Sequence, residues 1–544
     1  MSDKADVLVI GAGFAGMYAI YRLRHLGLKV VVIEAGSDVG GTWYWNRYPG
    51  ARCDVPSLEY SFGFSPELEQ EWEWPEVFSA QPDILHYANH IADRFDLRRH
   101  IKFNTRATAV TYLEHSNQWQ VSTDSGVSYC ATYCIMATGC LSVPNKPEIS
   151  GADHFQGETY HTGLWPKHPV DLTGKKVGII GTGSSAVQAI PELATQAGHL
   201  TVFQRTPVYT VPANRKAMNK AVEDEFKSNY RQIRAMQQHN RGGVSTFRPL
   251  KSMRPTRRLD DQQAQSNNIK ALKPEQRQQR LDQRGLASIL GFTDIYNDIE
   301  ANEIANELFR YNIKQRVRDP QVAEKLLPKT YGLGCKRQVL DRDYYDTFNR
   351  DNVLLVDVQE NPIAEINETG VQTQTQHYEL DVLIYATGFD AMTGALLNAN
   401  ITGRAGQTLA EKWQYGPVAY LGLQMHGFPN LFTVTGPGSP SVLCNMLVAI
   451  EQHINWIADC IVYLRDNQIS SIEPNKNSEL TWIDHVNDVA KETMFTAPTC
   501  NSWYLGANIQ GKPRIFMPYV GGFPQYRERC EQEQEQHYPS FTLA

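Results

Sequence analysis

The chain has 544 residues, of which 42% are hydrophobic and 20% charged, and its formal net charge is −7 at pH 7. This length is too great for one compact core, so we expect several folding units with the composition of an ordinary globular protein. The negative charge offers no electrostatic footprint for nucleic acid, so we expect no nucleic-acid partner.

The first predicted unit is a dinucleotide-binding motif. An apolar strand over residues 6–10 leads into GAGFAG, a GxGxxG pattern, and a helix and a second apolar strand follow, the latter ending in an acid. Glycines let the backbone approach a pyrophosphate, the helix N-terminus offers free N–H groups, and the acid can accept from ribose hydroxyls. The predicted nucleotide contacts are Gly11, Gly13, Phe14, Gly16 and Glu34.

The same motif returns in the middle of the chain, where the strand at residues 176–180 leads into GTGSSA. At the position of the acid, this second copy has Gln204, followed by Arg205. A carboxylate would repel a 2′-phosphate, whereas an amide and a guanidinium would hold it, so the second site is expected to prefer NADP over NAD. The predicted contacts are Gly181, Thr182, Gly183, Ser184, Ser185 and Arg205.

Both copies close with the same element, two strands joined by a tight turn and then an apolar strand ending in Ala-Thr-Gly. The turns lie at residues 124–126 and 368–370, and the tripeptides at 137–139 and 386–388. This pattern indicates an internal duplication. The second copy is the longer one, and its polar, helix-patterned residues 214–330 are the expected insertion.

Two nucleotides, one of them NADP, imply a flavoprotein with FAD in the first copy and NADPH in the second. The predicted fold class is α/β, with two Rossmann-like domains and a helical insertion in the second. A third glycine-ended strand, at residues 430–438, is where the chain is expected to return to the first domain. The expected domains are FAD-binding over 1–143 and 388–544, NADP-binding over 144–213 and 331–387, and the insertion over 214–330.

The cysteine and hydropathy patterns favour a cytoplasmic protein. The nine cysteines contain no CxxC pair, so we expect neither a disulfide framework nor a metal site, and no redox-active pair of the disulfide-reductase kind. No apolar run is long enough to span a bilayer, and the first residues do not resemble a signal peptide. We therefore expect no membrane attachment and no obligate protein partner.

Four long motifs carry a family resemblance. FQGETYHTGLWP, at residues 155–166, is joined by GGTWYWNRYPGARCD, GCKRQVLDRDYY and SWYLGANIQGKP elsewhere in the chain. Together they resemble type I Baeyer-Villiger monooxygenases, which are class B flavoprotein monooxygenases, over essentially the full length. Phenylacetone and cyclohexanone monooxygenases are the most similar members. The first motif is expected to be an irregular connector between the domains, and its defining residues are Phe155, Gly157, His161 and Trp165.

The resemblance implies a reaction. NADPH reduces the flavin, dioxygen adds to give a C4a-peroxyflavin, and the peroxide attacks a small ketone to form a tetrahedral (Criegee) adduct that rearranges to an ester or lactone. A peroxide anion needs a nearby positive charge, because otherwise it would protonate and leave as hydrogen peroxide. Arg337 is the expected catalytic cation, since an arginine stays charged and presents a planar fork, and Asp54 is expected to orient it.

The resemblance also assigns further contacts. On the FAD side these are Gly41, Thr42, Trp43 and Tyr60. On the NADP side they are Arg52, Thr206, Lys336 and Trp503, with Lys336 clamping the 2′-phosphate beside Arg205. The expected substrate pocket is Ser441, Val442 and Leu443. His161 is expected to organise the domain arrangement rather than to act as a base.

Two other functions remain open from the residues. One is a flavin-containing monooxygenase that oxygenates sulfur or nitrogen, for which Arg337 would matter less. The other is a flavin-dependent redox sensor or interaction protein, which would need neither Asp54 nor Arg337. Consumption of NADPH that accelerates when a ketone is added would favour an oxygenase over the sensor, and ester formation that is lost in Arg337→Ala would favour the Baeyer-Villiger reaction over the flavin-containing monooxygenase.

Overall fold

The structure is a computed structural model that describes residues 4–213, 216–247 and 268–544. Its strands fall into two large sheets and three small ones. In chain order they are β1 (Lys4–Ile10), β2 (Val30–Ile33), β3 (Ile101–Lys102), β4 (Ala107–Leu113), β5 (Gln118–Thr123), β6 (Ser128–Met136), β7 (Glu158–His161), β8 (Lys176–Ile180), β9 (His199–Gln204), β10 (Thr210–Pro212), β11 (Val339–Asp341), β12 (Val353–Asp357), β13 (Ile363–Asn367), β14 (Gly370–Thr373), β15 (His377–Glu379), β16 (Val382–Tyr385), β17 (Ile401–Thr402), β18 (Leu431–Thr433), β19 (Ile472–Pro474) and β20 (Phe541–Leu543).

The helices cover the sheets and fill the insertion. In chain order they are α1 (Phe14–His25), α2 (Thr42–Trp45), α3 (Pro66–Glu71), α4 (Gln81–Arg94), α5 (Ser184–Gln196), α6 (Lys220–Ser228), α7 (Tyr230–Gln238), α8 (Pro274–Arg284), α9 (Ile299–Arg316), α10 (Pro320–Lys325), α11 (Tyr344–Thr347), α12 (Gly394–Leu397), α13 (Leu409–Lys412), α14 (Met446–Asp466), α15 (Lys476–Lys491) and α16 (Phe523–Glu535). No helix in the described part of the chain is both long and apolar enough to cross a bilayer.

The first large sheet forms around β1, which pairs in parallel with β2 on one side and with β6 on the other. Side chains of β1 and β2 alternate between two cores: Val7, Val9 and Val32 lie in one, and Leu8, Ile10 and Ile33 lie in the other, so both faces of these strands are buried. The antiparallel pairs β4–β5 and β5–β6 extend the sheet. The chain returns through β18, which pairs in parallel with β6. The return expected at residues 430–438 is therefore present.

The second large sheet has the order β12-β9-β8-β16-β7, and all of its pairs are parallel. Its edge strand β7 lies inside the motif at 155–166, so the expectation of a wholly irregular connector is wrong. The motif shows no strand period because β7 is short and pairs on one side only, with β16. The predicted α/β fold class with two dinucleotide-binding sheets is confirmed.

The expected insertion is helical where it is described, and residues 248–267 lie outside the described residues. Its two parts pack on different cores. Helices α6 and α7 join the core of the first sheet through Phe226, Tyr230 and Ile233. Helix α9 contributes Phe309 to another core, which also contains Tyr504. The domain boundaries stay a prediction.

Cys335 and Cys500 form a disulfide across a sequence separation of 165 residues. The expectation of no disulfide is wrong in this respect. An odd number of cysteines without a CxxC motif does not exclude one long-range pair, because pairing depends on which cysteines the fold brings together. The other seven cysteines are free. No cluster of possible metal ligands occurs within the residues that the structure describes.

Candidate active site

The first glycine loop forms a cradle in which side chains would not fit. Gly11 has a φ of +107°, and a Cβ atom there would lie 2.6 Å from the carbonyl oxygen of Ala137. A Cβ on Gly16 would lie 1.9 Å from the carbonyl oxygen of Gly11. The turn therefore presents bare backbone at the N-terminus of α1, as a pyrophosphate site requires.

Glu34 closes this loop from the end of β2. Its carboxylate accepts hydrogen bonds from the backbone N–H of Ala12, at 2.7 Å, and of Gly36, at 2.6 Å. Burial raises the pKa of Glu34, although the two N–H donors oppose the rise. The acid therefore lies against the glycine loop, where the fingerprint predicts a ribose.

The motif at 40–54 packs directly on the first glycine loop. Gly41 has a φ of +52°, and a Cβ atom there would lie 2.8 Å from the Cα of Gly13. Trp43 is buried and donates from Nε1 to the Tyr60 hydroxyl at 3.1 Å. Thr42 opens α2 and is exposed. The predicted FAD contacts are thus brought together around one turn.

The second glycine loop repeats the geometry of the first. Gly181 has a φ of +113°, and a Cβ atom there would lie 2.5 Å from the carbonyl oxygen of Ala386, in the second Ala-Thr-Gly. Helix α5 starts after Gly183 without a side-chain cap, so its first N–H groups remain for a ligand. Thr182 donates to the carbonyl oxygen of Thr206 at 2.8 Å, which ties the loop to the end of β9.

Lys336 and Arg205 form a cationic pair beside this loop. Burial, together with the charge of Arg205, lowers the pKa of Lys336 to about 8. Neither side chain forms a salt bridge within residues 4–213, 216–247 and 268–544. Two neighbouring cations without a carboxylate suit a phosphate. Gln204 is buried and donates from Nε2 to the carbonyl oxygen of Lys325 at 2.7 Å, so its amide faces α10.

Arg337 and Asp54 form a two-pronged ion pair between segments 283 residues apart. Nε of Arg337 lies 2.6 Å from Oδ2 of Asp54, and Nη2 lies 2.9 Å from Oδ1. Burial alone would raise the pKa of Asp54, but the guanidinium outweighs it and holds this pKa below its usual range. The Asp54 charge in turn raises the pKa of Arg337. Both groups are therefore charged across the working pH range.

Two contacts of Arg337 were not anticipated from the sequence. Its Nη1 donates to the carbonyl oxygen of Val442 at 2.6 Å. The phenol of Tyr504 is buried against the same guanidinium, so that burial raises the pKa of Tyr504 while the Arg337 charge opposes the rise. A carbonyl group leaves no signal in the sequence, and only its place after Trp503 in the SWYLGANIQGKP motif could have pointed to Tyr504.

The predicted substrate-pocket residues form a short turn next to Arg337. Ser441 has a φ of +43°, an uncommon conformation for a residue with a side chain, of the kind that clusters at functional sites. Its hydroxyl is buried and lies 3.6 Å from the sulfur of Met392. Val442 is buried and Leu443 half-buried. The backbone of this turn therefore reaches Arg337, while the Ser441 side chain points into the protein.

His161 holds together the two chain segments that cross between the sheets. Its Nδ1 accepts from the backbone N–H of Gly163 at 2.9 Å, and its Nε2 lies 3.4 Å from the Asn145 carbonyl oxygen and 3.5 Å from Oγ1 of Thr387. Burial lowers the pKa of His161. Nδ1 thus binds within the motif and Nε2 faces two other segments of the chain, which suits an organiser rather than a base.

The other residues of this motif shape the same connector. The ring of Phe155 lies over Gly157, where a Cβ atom would be 2.5 Å from it. Trp165 is buried and packs against Tyr160, with the ring centroids 5.2 Å apart. These contacts pack the aromatic side chains of the motif around β7.

Arg52 and Trp503, both expected to contact NADP, have different surroundings in the structure. Arg52 forms a salt bridge with Glu76 and is only partly exposed. Trp503 is half-buried at the start of a short 3-10 turn and packs on Tyr504 at a centroid distance of 4.3 Å. The structure therefore places Trp503 near the Arg337 region and ties Arg52 to the first domain.

Comparison with known proteins identifies the family. Residues 8–268 match the family model described as pyridine nucleotide-disulphide oxidoreductase. A Baeyer-Villiger monooxygenase from Pseudooceanicola batsensis is 40% identical, over 98% of this chain and 95% of the relative. The chain belongs to the Baeyer-Villiger monooxygenase family.

Solved structures agree with this assignment. Oxidised steroid monooxygenase bound to NADP superposes with a TM-score of 0.90 and 45% identity, covering 99% of each chain. OTEMO in complex with FAD and NADP superposes with a TM-score of 0.91 and 38% identity, covering 100% of each. The resemblance read from the sequence is confirmed, and so are the predicted cofactors, FAD and NADPH, and the NADPH- and oxygen-dependent conversion of ketones into esters or lactones that defines the family.

Proposed function

We propose that this Baeyer-Villiger monooxygenase oxygenates small ketones and that the guanidinium of Arg337 stabilises the negative charge that develops in the reaction. Asp54 holds the guanidinium in place. The observation that carries the proposal is the two-pronged ion pair, with Nε–Oδ2 at 2.6 Å and Nη2–Oδ1 at 2.9 Å. Its position beside the turn that contains Val442 supports a role in the substrate pocket.

The cofactors have suitable sites. FAD would be held by the first glycine loop and the residues packed on it, namely Gly11, Gly13, Phe14, Gly16, Glu34, Gly41, Thr42, Trp43 and Tyr60. NADPH would be held by Arg52, Gly181, Thr182, Gly183, Ser184, Ser185, Arg205, Thr206, Lys336 and Trp503. When bound, the two groups would supply hydride transfer and the activation of dioxygen.

Arg337 has the geometry to bind a developing oxyanion. Of its five N–H bonds, one on Nε, one on Nη2 and one on Nη1 are used by Asp54 and Val442. The two that remain, one on each terminal nitrogen, would be available to a ligand and to the neighbouring Tyr504 hydroxyl. The Arg337 side chain is 34% exposed, so a ligand can reach it. A donor that is fixed before the reaction stabilises negative charge without reorganising.

Asp54 would hold the Arg337 guanidinium in a fixed orientation. Its pKa lies below the usual range because of Arg337, so the carboxylate stays ionised at neutral pH. An ionised partner that grips both Nε and Nη2 fixes the plane of the guanidinium. Asp54 would therefore act through Arg337, as a positioning residue.

The substrate is proposed to be a small ketone that reaches Arg337 along the turn of Ser441, Val442 and Leu443. The strained backbone at Ser441, with φ of +43°, supports a functional turn. The enzyme is further proposed to act in the cytoplasm without an obligate protein partner, a membrane or nucleic acid.

The deciding experiment compares wild type with Arg337→Ala and Arg337→Lys. FAD-loaded protein is supplied with NADPH in air and with phenylacetone or cyclohexanone, and NADPH loss, ester and hydrogen peroxide are quantified. Wild type should form ester matching the NADPH consumed. Arg337→Ala should keep flavin reduction by NADPH but lose about 100-fold or more of ester formation. Lysine should restore little, because it lacks the planar fork.

Arg342→Lys is a matched control, since Arg342 forms an exposed ion pair with Glu192 in the second domain. Undiminished ester formation by Arg337→Ala would refute the role of Arg337. Oxygenation of sulfides or amines, without any ester from ketones, would instead support a flavin-containing monooxygenase that acts on sulfur or nitrogen.

A further inference from the structure

One covalent bond joins two segments on which the proposed site depends. Cys335 immediately precedes Lys336 and Arg337 in the sequence, and Cys500 lies shortly before Trp503 and Tyr504. The disulfide between the two cysteines spans a sequence separation of 165 residues. It therefore links the proposed phosphate-binding and peroxide-binding side chains to the turn that carries Trp503.

Neither segment has regular secondary structure to fix it. Residues 326–338, between α10 and β11, contain neither helix nor strand, and the same is true of residues 497–502. Backbone hydrogen bonds within these segments are local: the Cys335 N–H donates to the Gly332 carbonyl, and the Cys500 N–H donates to the Ala497 carbonyl. Segments of this kind depend on side-chain contacts for their relative position.

The disulfide lies close to the site and away from solvent. Cys335 is 1% exposed and Cys500 is 0% exposed. Both belong to the same hydrophobic core as Tyr504 and Val442, which contact Arg337 on the sides not bound by Asp54. A movement of either cysteine would therefore displace the groups around the guanidinium.

We propose that the Cys335–Cys500 disulfide is a positioning cross-link. It holds Lys336 and Arg337 against the turn of Trp503 and Tyr504. NADP would then bind tightly, and a smaller fraction of the NADPH consumed would be lost to hydrogen peroxide instead of forming ester. The inference rests on the proposed roles of Arg337, Lys336 and Trp503. Both cysteines act through those residues and touch no reacting atom themselves.

The cross-link can form with a peroxide as oxidant. One thiolate takes an oxygen from hydrogen peroxide to give a sulfenic acid, and hydroxide leaves and is protonated to water. The second thiolate then attacks this sulfur, forms the S–S bond and releases a second water. The two thiols thus lose two electrons and two protons, and one hydrogen peroxide becomes two waters. A monooxygenase that loses NADPH to hydrogen peroxide would supply the oxidant itself.

The test compares three forms of the full-length, FAD-loaded enzyme. These are oxidised wild type, wild type reduced with tris(2-carboxyethyl)phosphine, and Cys335→Ala/Cys500→Ala. Intact mass after alkylation reports the thiol state. Two further measurements need no ketone: the Kd of NADP⁺ by isothermal titration, and the fraction of NADPH recovered as hydrogen peroxide. Cys130→Ser, half-buried at the far end of β6, is the control.

Loss of the cross-link should weaken NADP⁺ binding and slow ester formation by about 10-fold or more, because small displacements of positioning groups have large effects. Reductant should change wild type and the control variant but leave the double variant unaltered. Two results would overturn the proposal: thiols that stay reduced after peroxide treatment, or a disulfide whose removal alters neither the NADP⁺ Kd nor the peroxide fraction. Absence of ester from every ketone, with a reductant-sensitive Kd, would refute the substrate assignment alone.

Discussion

Asp54 and Arg337 meet face to face across two domains, with both carboxylate oxygens bound by the same guanidinium at 2.6 and 2.9 Å. Asp54 lies in the loop packed on the first glycine turn, and Arg337 in the segment after α10. The pair therefore aligns the cation, whose backbone lies between α10 and β11, with the loop on the first glycine turn. Any displacement of one segment relative to the other would lengthen the hydrogen bonds between Asp54 and Arg337.

Replacing Asp54 with asparagine should preserve the shape and remove the charge that orients Arg337. We expect ester formation to fall about 100-fold, with NADPH diverted to hydrogen peroxide, because the guanidinium loses its fixed plane. Glu192→Gln, which removes the carboxylate of the exposed Arg342–Glu192 pair, should change the rate less than about twofold. Equal coupling of NADPH to ester in Asp54→Asn and wild type would contradict the positioning role.

Lys336 should make NADP binding depend on pH. Its pKa is lowered to about 8, so in the free enzyme the ammonium is charged below that pH and neutral above it. A bound 2′-phosphate favours the charged form, so affinity is full below pH 8 and should fall about 10-fold per unit above it. Titrations with NADP⁺ and NAD⁺ between pH 6.5 and 9.5 check this. NAD⁺ binding should stay flat, and Lys336→Gln should flatten the NADP⁺ curve.

Arg205 should determine the choice between the two nicotinamide cofactors. It is exposed, close enough to Lys336 to lower its pKa, and has no salt-bridge partner in the described parts of the chain. Arg205→Ala should raise the KM for NADPH by about 10- to 100-fold and leave that for NADH nearly unchanged, since one charge-assisted contact is lost. A wild-type enzyme that used NADH as efficiently as NADPH would show that the second site does not select the phosphate.

The sequence predicted the parts of this molecule that local chemistry determines. The strand-turn-helix units and the small residues at their turns depend on backbone conformations that only glycine adopts easily, as at Gly11 and Gly181. The third apolar strand was found in the same way. The resemblance supplied Asp54 and Arg337, whose contact crosses 283 residues and has no periodic signature of its own.

The remainder could not be read from local patterns. The carbonyl of Val442 binds Arg337 through backbone, which every residue possesses. The Cys335–Cys500 bond joins two loops that are 165 residues apart in the sequence, and no local pattern indicates that they meet. Strand β7 is an edge strand whose pairing is determined by β16 rather than by its own composition.

Gly41 should be essential for retaining FAD. An alanine there would place its Cβ 2.8 Å from the Cα of Gly13, at a φ of +52°, and push apart the two backbones that line the cradle. Gly41→Ala is expected to be purified with less than about a tenth of the wild-type flavin content, given the cost of such a clash. The A280-to-A450 absorbance ratio measures this. Gly291→Ala, where the nearest atom is 3.6 Å away, should keep its flavin.

Gln188 on α5 should couple the two domains. Its Oε1 accepts from the Tyr48 hydroxyl at 2.8 Å and the Arg52 backbone N–H at 3.2 Å, and its Nε2 donates to the Arg52 carbonyl at 3.1 Å. The Gln188 side chain therefore forms three hydrogen bonds with residues 48–52, the loop that precedes Asp54. Gln188→Ala should lower stability by about 1–3 kcal/mol and slow flavin reduction by NADPH about 10-fold, because the loop is no longer aligned with the second glycine turn.

The control for Gln188 is Gln196→Ala, an exposed position at the other end of α5. Stopped-flow absorbance at 450 nm gives the reduction rate, and thermal unfolding gives the change in stability. A Gln188→Ala protein that melts earlier but is reduced at the wild-type rate would show that the hydrogen bonds only stabilise the interface. Slower reduction of protein that is still folded at the assay temperature would establish that they align the domains for hydride transfer.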